Sequence, residues 1–292
     1  ILAKALDDIN IKYVYVRKEK ENLPYFSNNE DMVVQDDIDI VFECLNGLEP
    51  ANTLIQKALK KGKHVISSNK AVVATYLDTY LELEEEYGGS IQVEACVAGG
   101  IPFIDALLKL KRLEPLQGYE GIFNGTSNYI LDSMQKNNLD FEDVLKEAQD
   151  KGYAEKDPSN DIDGVDVYYK TKISNSLAFN TPIVDIPYYA GIRTIKMLDI
   201  KFIKMNNKVI RHLSISRQID DKIISIIAPC CMDENDFLAN VPSNYNAQKI
   251  LSHSFDTLGY YGQGAGQLPT AQAMVQNALD TLENKERKIV YS

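Results

Sequence analysis

The chain has no surplus of positive charge: 31 Lys and Arg stand against 42 Asp and Glu, a net charge of -11 over 292 residues. Nucleic acid and anionic membrane surfaces both require a basic face, so neither is an expected partner. No apolar run approaches the roughly 20 residues that span a bilayer, and the opening Ile1-Leu2-Ala3-Lys4 lacks a signal-peptide pattern. Cysteine is scarce, at four residues, and Cys44, Cys96, Cys230 and Cys231 contain no CxxC spacing. The common zinc and dithiol motifs are thereby excluded. Cys44 and Cys96 end apolar, strand-like runs, where a reduced cysteine serves as a small core residue, and a cytoplasmic setting is the simplest expectation. Three scattered histidines, His64, His212 and His253, argue against a histidine metal pair or triad. Repeats, low-complexity tracts and long Gly/Ser linkers are missing too. What remains is a two-domain length of chain, 45% apolar and suited to handling small molecules.

The first hundred residues alternate in the manner of a parallel sheet. The pattern predicts a helix over 1–9, strands over 11–16 and 38–44, a helix over 50–61, a strand over 64–67, a helix over 70–87 and a strand over 90–96. Short connections between such elements imply βαβ units, whose ligands bind at the carboxyl ends of the strands. Residues 18–35 read as irregular. After residue 97 the pattern becomes mixed: a helix over 103–110, a strand over 118–123, helices over 127–136 and 141–151, and strand material over 209–227. Pro229 and Pro242 read as breaks, and glycines at 259, 262, 264 and 266 precede a last helix over 270–282.

The densest chemistry lies in residues 152–170, where Glu155, Asp157, Asp161, Asp163 and Asp166 surround a turn and helix start together with Lys156 and Lys170. Asp163 is expected to cap a helix running from Val165 towards Phe179. Asp166 and Lys170 then share a helical face. One reading makes them a surface ion pair worth a few tenths of a kcal/mol. The other makes Lys170 a tuned lysine facing a cleft where Glu155 and Asp161 grip an ammonium group. Lys70 opens a helix directly after a strand, at a positive dipole end that disfavours it. An anionic companion, a substrate carboxylate or a cofactor phosphate, would suit that position.

Five blocks occur in a recognisable order: Ser68-Asn69-Lys70-Ala71, Glu94-Ala95-Cys96-Val97-Ala98-Gly99-Gly100-Ile101-Pro102, Asn124-Gly125-Thr126-Ser127-Asn128-Tyr129-Ile130-Leu131, the acidic stretch, and Gly264-Ala265-Gly266-Gln267-Leu268-Pro269-Thr270-Ala271. Through them the chain resembles homoserine dehydrogenase over most of its length. The resemblance implies an α/β fold: a Rossmann-like dinucleotide-binding domain over 1–97 and 267–292, plus an α+β substrate-binding and dimerisation domain over 98–266. It implies interconversion of L-aspartate 4-semialdehyde and L-homoserine with NAD(P), on the way to threonine and methionine, in a homodimer. Lys170 would be the proton donor, oriented by Asp166, with Lys70 facing the substrate carboxylate. Gly152, Glu155, Asp161 and Asp166 would bind the substrate, and Asn46, Ser68, Lys70 and Gly266 the cofactor. Glu94 with the carbonyls of Val97, Gly99 and Ile101 would hold a monovalent cation, sodium, in a structural role.

The family begins with a strand and a glycine-rich turn that brings backbone N–H groups to a pyrophosphate. Here the chain opens in what reads as the next helix, and a beginning not included is the favoured explanation, because a parallel sheet without its first strand keeps a central gap. Arg17 and Lys18 lean towards NADP. Neither a fused kinase nor an appended regulatory domain is expected. Two alternatives stand beside this reading: another two-domain NAD(P)-dependent dehydrogenase, and a non-catalytic relative that senses an amino acid.

Overall fold

The computed structural model describes residues 9–16 and 26–283. The chain divides into two compact units, 1–96 with 271–289 and 97–270 with 290–292.

In the first unit β1 (Val14–Tyr15) pairs in parallel with β2 (Phe26–Ser27). A separate parallel sheet runs β3 (Ile40–Glu43), β4 (His64–Ser67), β5 (Ser90–Gln92), with Ile40 opposite His64 and His64 opposite Ser90. Between these strands lie α1 (Ala51–Leu59) and α2 (Lys70–Tyr87). Helix α1 buries Ala51, Leu54, Ile55, Ala58 and Leu59, the spacing of a single apolar stripe. Helix α2 ends at Gly88, which takes φ of 81° and donates its N–H to the Glu84 carbonyl. Ile66 and Ala95 pack with Ala273, Met274 and Ala278 of the last helix, and Ile40 and Phe42 lie against them. Among the described residues the two sheets share no ladder, and a cavity of about 560 Å³ is lined by β1 and β3 together.

Some expectations need correction here. The strand expected over 11–16 shortens to Val14–Tyr15. The one expected over 90–96 stops at Gln92, because Glu94–Cys96 turns as a 3₁₀ helix that buries Glu94. Cys96 is buried as expected, but Cys44 is exposed. The helix expected over 1–9 falls almost entirely outside the described residues, as do Arg17 and Lys18.

The second unit contains α3 (Phe103–Leu110), β6 (Gly118–Ile122), α4 (Gly125–Asn137), α5 (Phe141–Asp150), the short α6 (Ser159–Ile162), α7 (Val165–Phe179) and α8 (Met197–Met205). Strands β7 (Lys208–Ile219), β8 (Lys222–Asp233), β9 (Asn246–Ser252) and β10 (Asp256–Gly262) follow, and then α9 (Gln267–Leu282), most of which belongs to the first unit. The sheet is antiparallel in the order β10-β9-β6-β7-β8. One core joins Tyr129, Ile130, Leu131 and Met134 of α4 to Phe141, Val144 and Ala148 of α5 and to Ile200 and Ile203 of α8. Phe103, Tyr119 and Phe123 meet edge to face, with Phe103 5.7 Å from Tyr119 and 5.3 Å from Phe123.

Pro229 does not break the pattern. It lies within β8, opposite His212, on an edge strand where a missing N–H costs no ladder bond on the open side. Helix α4 starts earlier than its apolar pattern suggests, because Asn124 caps it: the Asn124 Oδ1 accepts from the Ser127 N–H at 2.7 Å.

Candidate active site

At the carboxyl ends of β3 and β4 the first unit places Asn46, Ser68 and Lys70. Asn46 and Gly47 are exposed on the loop after β3, while Ser68 is half-buried and its N–H donates to the Glu43 carbonyl at 3.2 Å. Asn69 ties this loop to the next. Its Nδ2 donates to the Gly47 carbonyl at 2.8 Å, and its Oδ1 accepts from the Val72 N–H at 3.3 Å, capping α2 directly ahead of Lys70. Gly47 takes φ of 84°, and a Cβ there would meet nothing within 4 Å. The loop therefore presents open backbone to one side. Beneath it Glu43 is buried, accepting from the Leu45 N–H at 2.7 Å and the Ser67 hydroxyl at 2.6 Å. Burial raises the Glu43 pKa above the ordinary carboxylate value, against these hydrogen bonds. This donor and acceptor set fits the ribose and nicotinamide end of a dinucleotide. Gly266, with φ of 115°, precedes α9 in the second unit.

Part of the acidic stretch of the second unit forms a cluster in which Asp166 and Lys170 are buried and Asp161 is partly buried. Lys170 and Asp166 are nearly sealed from solvent, their side chains 8% and 7% exposed, with Nζ 2.9 Å from Oδ2. The surface reading of this pair is thereby overturned. Lys170 Nζ also donates to the Phe123 carbonyl at 2.6 Å, at the end of β6. Asn124 Nδ2 donates to Asp166 Oδ2 at 2.8 Å and to Asp161 Oδ1 at 2.7 Å. Burial, followed by the Asp166 charge, raises the Asp161 pKa, and Asn124, Thr126 and Lys170 oppose the rise. Glu155 is exposed on the loop before α6, and Gly152 on the same loop takes φ of 74° with open space where a Cβ would lie. Thr126 anchors that loop by donating its hydroxyl to the Tyr153 carbonyl at 2.6 Å.

Asp163 behaves differently from expectation. Gly164 is the N-cap of α7, with no side-chain capping bond, while Asp163 closes α6 and forms a forked pair with Arg193 at 2.6 and 2.7 Å. A carboxylate already engaged by a guanidinium has little left to offer a helix terminus. Lys70 and Lys170 fall in different units.

The cation residues occupy one short stretch that the division of units crosses. Glu94 is buried on the first side, and Val97, Gly99 and Ile101 lie on the second. Ala98 and Gly99 take left-handed backbone, with φ of 59° and 57°, and a Cβ on Gly99 would come within 2.6 Å of the Gly264 backbone. Among the described residues no three His, Cys, Asp or Glu gather as metal ligands. A cation here would rest on one carboxylate and backbone oxygens, a set that suits a hard ion.

The residues that sequence reasoning left without a role are Asn124, Asn69 and His212. His212 is fully buried, its Nε2 2.9 Å from the Ala190 carbonyl and its Nδ1 3.3 Å from the Ser127 hydroxyl. Burial pushes its pKa down to about 4, so it is neutral at pH 7. The only local signal for Asn124 is its capping position, and its contacts to Asp161 and Asp166 cross 37 and 42 residues.

Comparison with known proteins bears on the whole chain. Residues 2–94 match the family model for the homoserine dehydrogenase NAD binding domain, and residues 102–279 match the model for homoserine dehydrogenase itself. A homoserine dehydrogenase of Neisseria gonorrhoeae is 38% identical over 86% of the chain, which spans 58% of that relative's length. One from Lactococcus lactis is 31% identical over 98% of the chain and 69% of its own length. The crystal structure of the Thiobacillus denitrificans homoserine dehydrogenase superposes with a TM-score of 0.85 at 36% identity, covering 91% of this chain and 63% of that one. A hyperthermophilic archaeal homoserine dehydrogenase in complex with NADPH gives a TM-score of 0.78 at 25% identity, over 90% of this chain and 77% of that one. On these matches the chain belongs to the homoserine dehydrogenase family.

Proposed function

We propose that the protein is an NAD(P)-dependent oxidoreductase interconverting L-aspartate 4-semialdehyde and L-homoserine, a step towards threonine and methionine. The observation that carries this is the buried cluster of Lys170, Asp166, Asn124 and Asp161. It supplies one proton-bearing nitrogen beside two carboxylates, as an amino acid with a reacting oxygen requires.

When bound, NAD(P)H supplies the hydride. Asn46, Ser68, Lys70 and Gly266 would hold the cofactor. As hydride reaches the aldehyde carbon, negative charge grows on its oxygen, and Lys170 Nζ donates a proton there. Asp166 fixes the Lys170 ammonium and keeps it from swinging out of line. Asp161 and Glu155 take the substrate ammonium, Gly152 lets the chain pass close to it, and Lys70 faces its carboxylate. Glu94 and the Val97, Gly99 and Ile101 carbonyls would hold a monovalent cation, sodium, in a structural role. Two copies of the chain form a homodimer.

A cofactor-linked assay across aldehyde substrates, with NADH and NADPH in parallel, tests the reading. Turnover of aspartate semialdehyde well above other aldehydes supports it. Preference for a different aldehyde would make the protein another dehydrogenase, and calorimetric binding of homoserine without turnover would make it an amino-acid-binding relative.

A further inference from the structure

Asn124 is a neutral side chain on which both carboxylates of the cluster converge. Its Oδ1 caps α4 through the Ser127 N–H, and its Nδ2 divides between Asp161 of α6 and Asp166 of α7. The two carboxylates are thus held near each other, beside the positive charge of Lys170. His212 of β7, whose ring feels the Asp166 charge, is kept neutral by burial and adds no positive charge. Two carboxylates sharing a buried site ordinarily cannot both ionise, and one takes up a proton. A protonated Asp161 would be a poor partner for a substrate ammonium.

We propose that Asn124 is a positioning residue whose amide keeps Asp161 and Asp166 ionised together, and that it thereby sets the pH range over which the site accepts an amino-acid substrate. The role rests on the reading of the cluster as the substrate site. It is distinct from the capping role, since the cap uses Oδ1 and the bridge uses Nδ2. An amide suits both tasks at once. An aspartate would cap α4 equally well but would place a third acceptor against two carboxylates. The bridge also reaches the proton donor indirectly, because Asp166 Oδ2 accepts from both Asn124 and Lys170, and losing one donor leaves the carboxylate free to turn on the other.

Asn124→Ser separates the roles, since serine retains a capping oxygen on a side chain too short to reach both carboxylates. The Asp161 and Asp166 carboxyl carbons are followed by NMR through a pH titration of the full chain without substrate, and L-homoserine affinity is measured over the same range. In the variant the coupled titration is expected to move up by at least about one pH unit. The pH below which homoserine affinity is lost should move with it, while the melting temperature at acid pH stays near that of the unsubstituted protein. A folded Asn124→Ser protein with unshifted titrations overturns the proposal and leaves Asn124 as a helix cap. Should the variant unfold at neutral pH, acidification must restore its fold, because a proton on one carboxylate replaces the lost donor; failure to recover at any pH equally overturns it. If the unsubstituted protein neither binds nor turns over homoserine, the functional reading fails, and the carboxyl titrations still decide the role of Asn124.

Discussion

The loops after β3 and β4 and the cluster around Asn124 both gather polar groups at the end of a strand, yet they are made of opposite materials. Around the single lysine Lys70 the first uses neutral donors and open backbone: Asn46, Ser68, Gly47 and the Asn69 side chain that ties them together. Its buried acid, Glu43, accepts from a hydroxyl and a backbone N–H. The second uses charge, with Asp161 and Asp166 around Lys170 and one amide between them. Neutral groups can stay pre-organised without strong mutual forces, which suits holding a large cofactor. A buried charged cluster is stable only while every member is present, and the same mutual dependence makes its protonation state responsive to a substrate. In both places an asparagine joins a helix cap to the site, so the direction of the helix and the aim of the polar groups are set together.

The sharpest break in the comparison is Lys170→Ala. Turnover should fall by about a hundredfold or more, the usual scale for losing a general acid, with cofactor binding unchanged. Because Asp166 is buried, its uncompensated charge should also lower stability. The double variant Lys170→Ala/Asp166→Asn separates these effects: stability should recover and turnover should not. Recovery of both, or near-normal turnover in the single variant, would reduce Lys170 to a structural partner.

That burial is what the sequence could not convey. The spacing of Asp166 and Lys170 was enough to predict the pair, and β4, α2 and α3 begin and end where their patterns say, because Asn69 and Gly88 punctuate α2 with strong local signals. Whether the pair faced water depended on Phe123 and Asn124, more than forty residues upstream, which no local period reveals. The same limit explains Asp163, whose capping chemistry was claimed by Arg193 thirty residues later. Helix α8 escaped notice for another reason. Leu198, Phe202 and Met205 are apolar yet exposed, so its apolar period points to the wrong face. The β9–β10 hairpin goes unpredicted because Pro242 reads as a break and Gly259 and Gly262, which lie within β10, read as the approach to the last helix.

Glu155→Gln probes the edge of the charged region. The side chain is exposed, so the melting temperature should move little, whereas homoserine affinity should fall by roughly tenfold, the loss of one charge-assisted bond. Isothermal titration beside a melting curve reads both. A large melting loss with unchanged affinity would reassign Glu155 to structure.

Asp161→Asn acts on stability with the opposite sign. The Asp161 pKa is raised in the folded state, so the ionised group opposes folding, and that cost appears as pH rises through the folded value. The amide variant escapes it. Its melting temperature should exceed that of the unsubstituted protein at neutral pH and converge with it on acidification, while homoserine affinity is lost. A variant equally or less stable at neutral pH would mean that Asn124 and Lys170 fully compensate the charge.

The smallest effect is expected from the cation, and it tests whether a third material, backbone carbonyls around one carboxylate, adds to the other two. Glu94 is buried at the turn whose Ala98 and Gly99 take left-handed backbone. An ion that binds only the folded state stabilises it by mass action, about 0.4 kcal/mol when present at its own Kd, or about 1–2 °C for a protein of this kind. Replacing sodium by tetramethylammonium at constant ionic strength removes the ion without altering screening, so a general salt effect leaves the two melting curves superposed. A specific site separates them, and Glu94→Gln should abolish the separation because the carboxylate supplies the only formal charge in the set. Superposed curves for the unsubstituted protein would remove the cation and leave Glu94 as a buried acceptor within the turn.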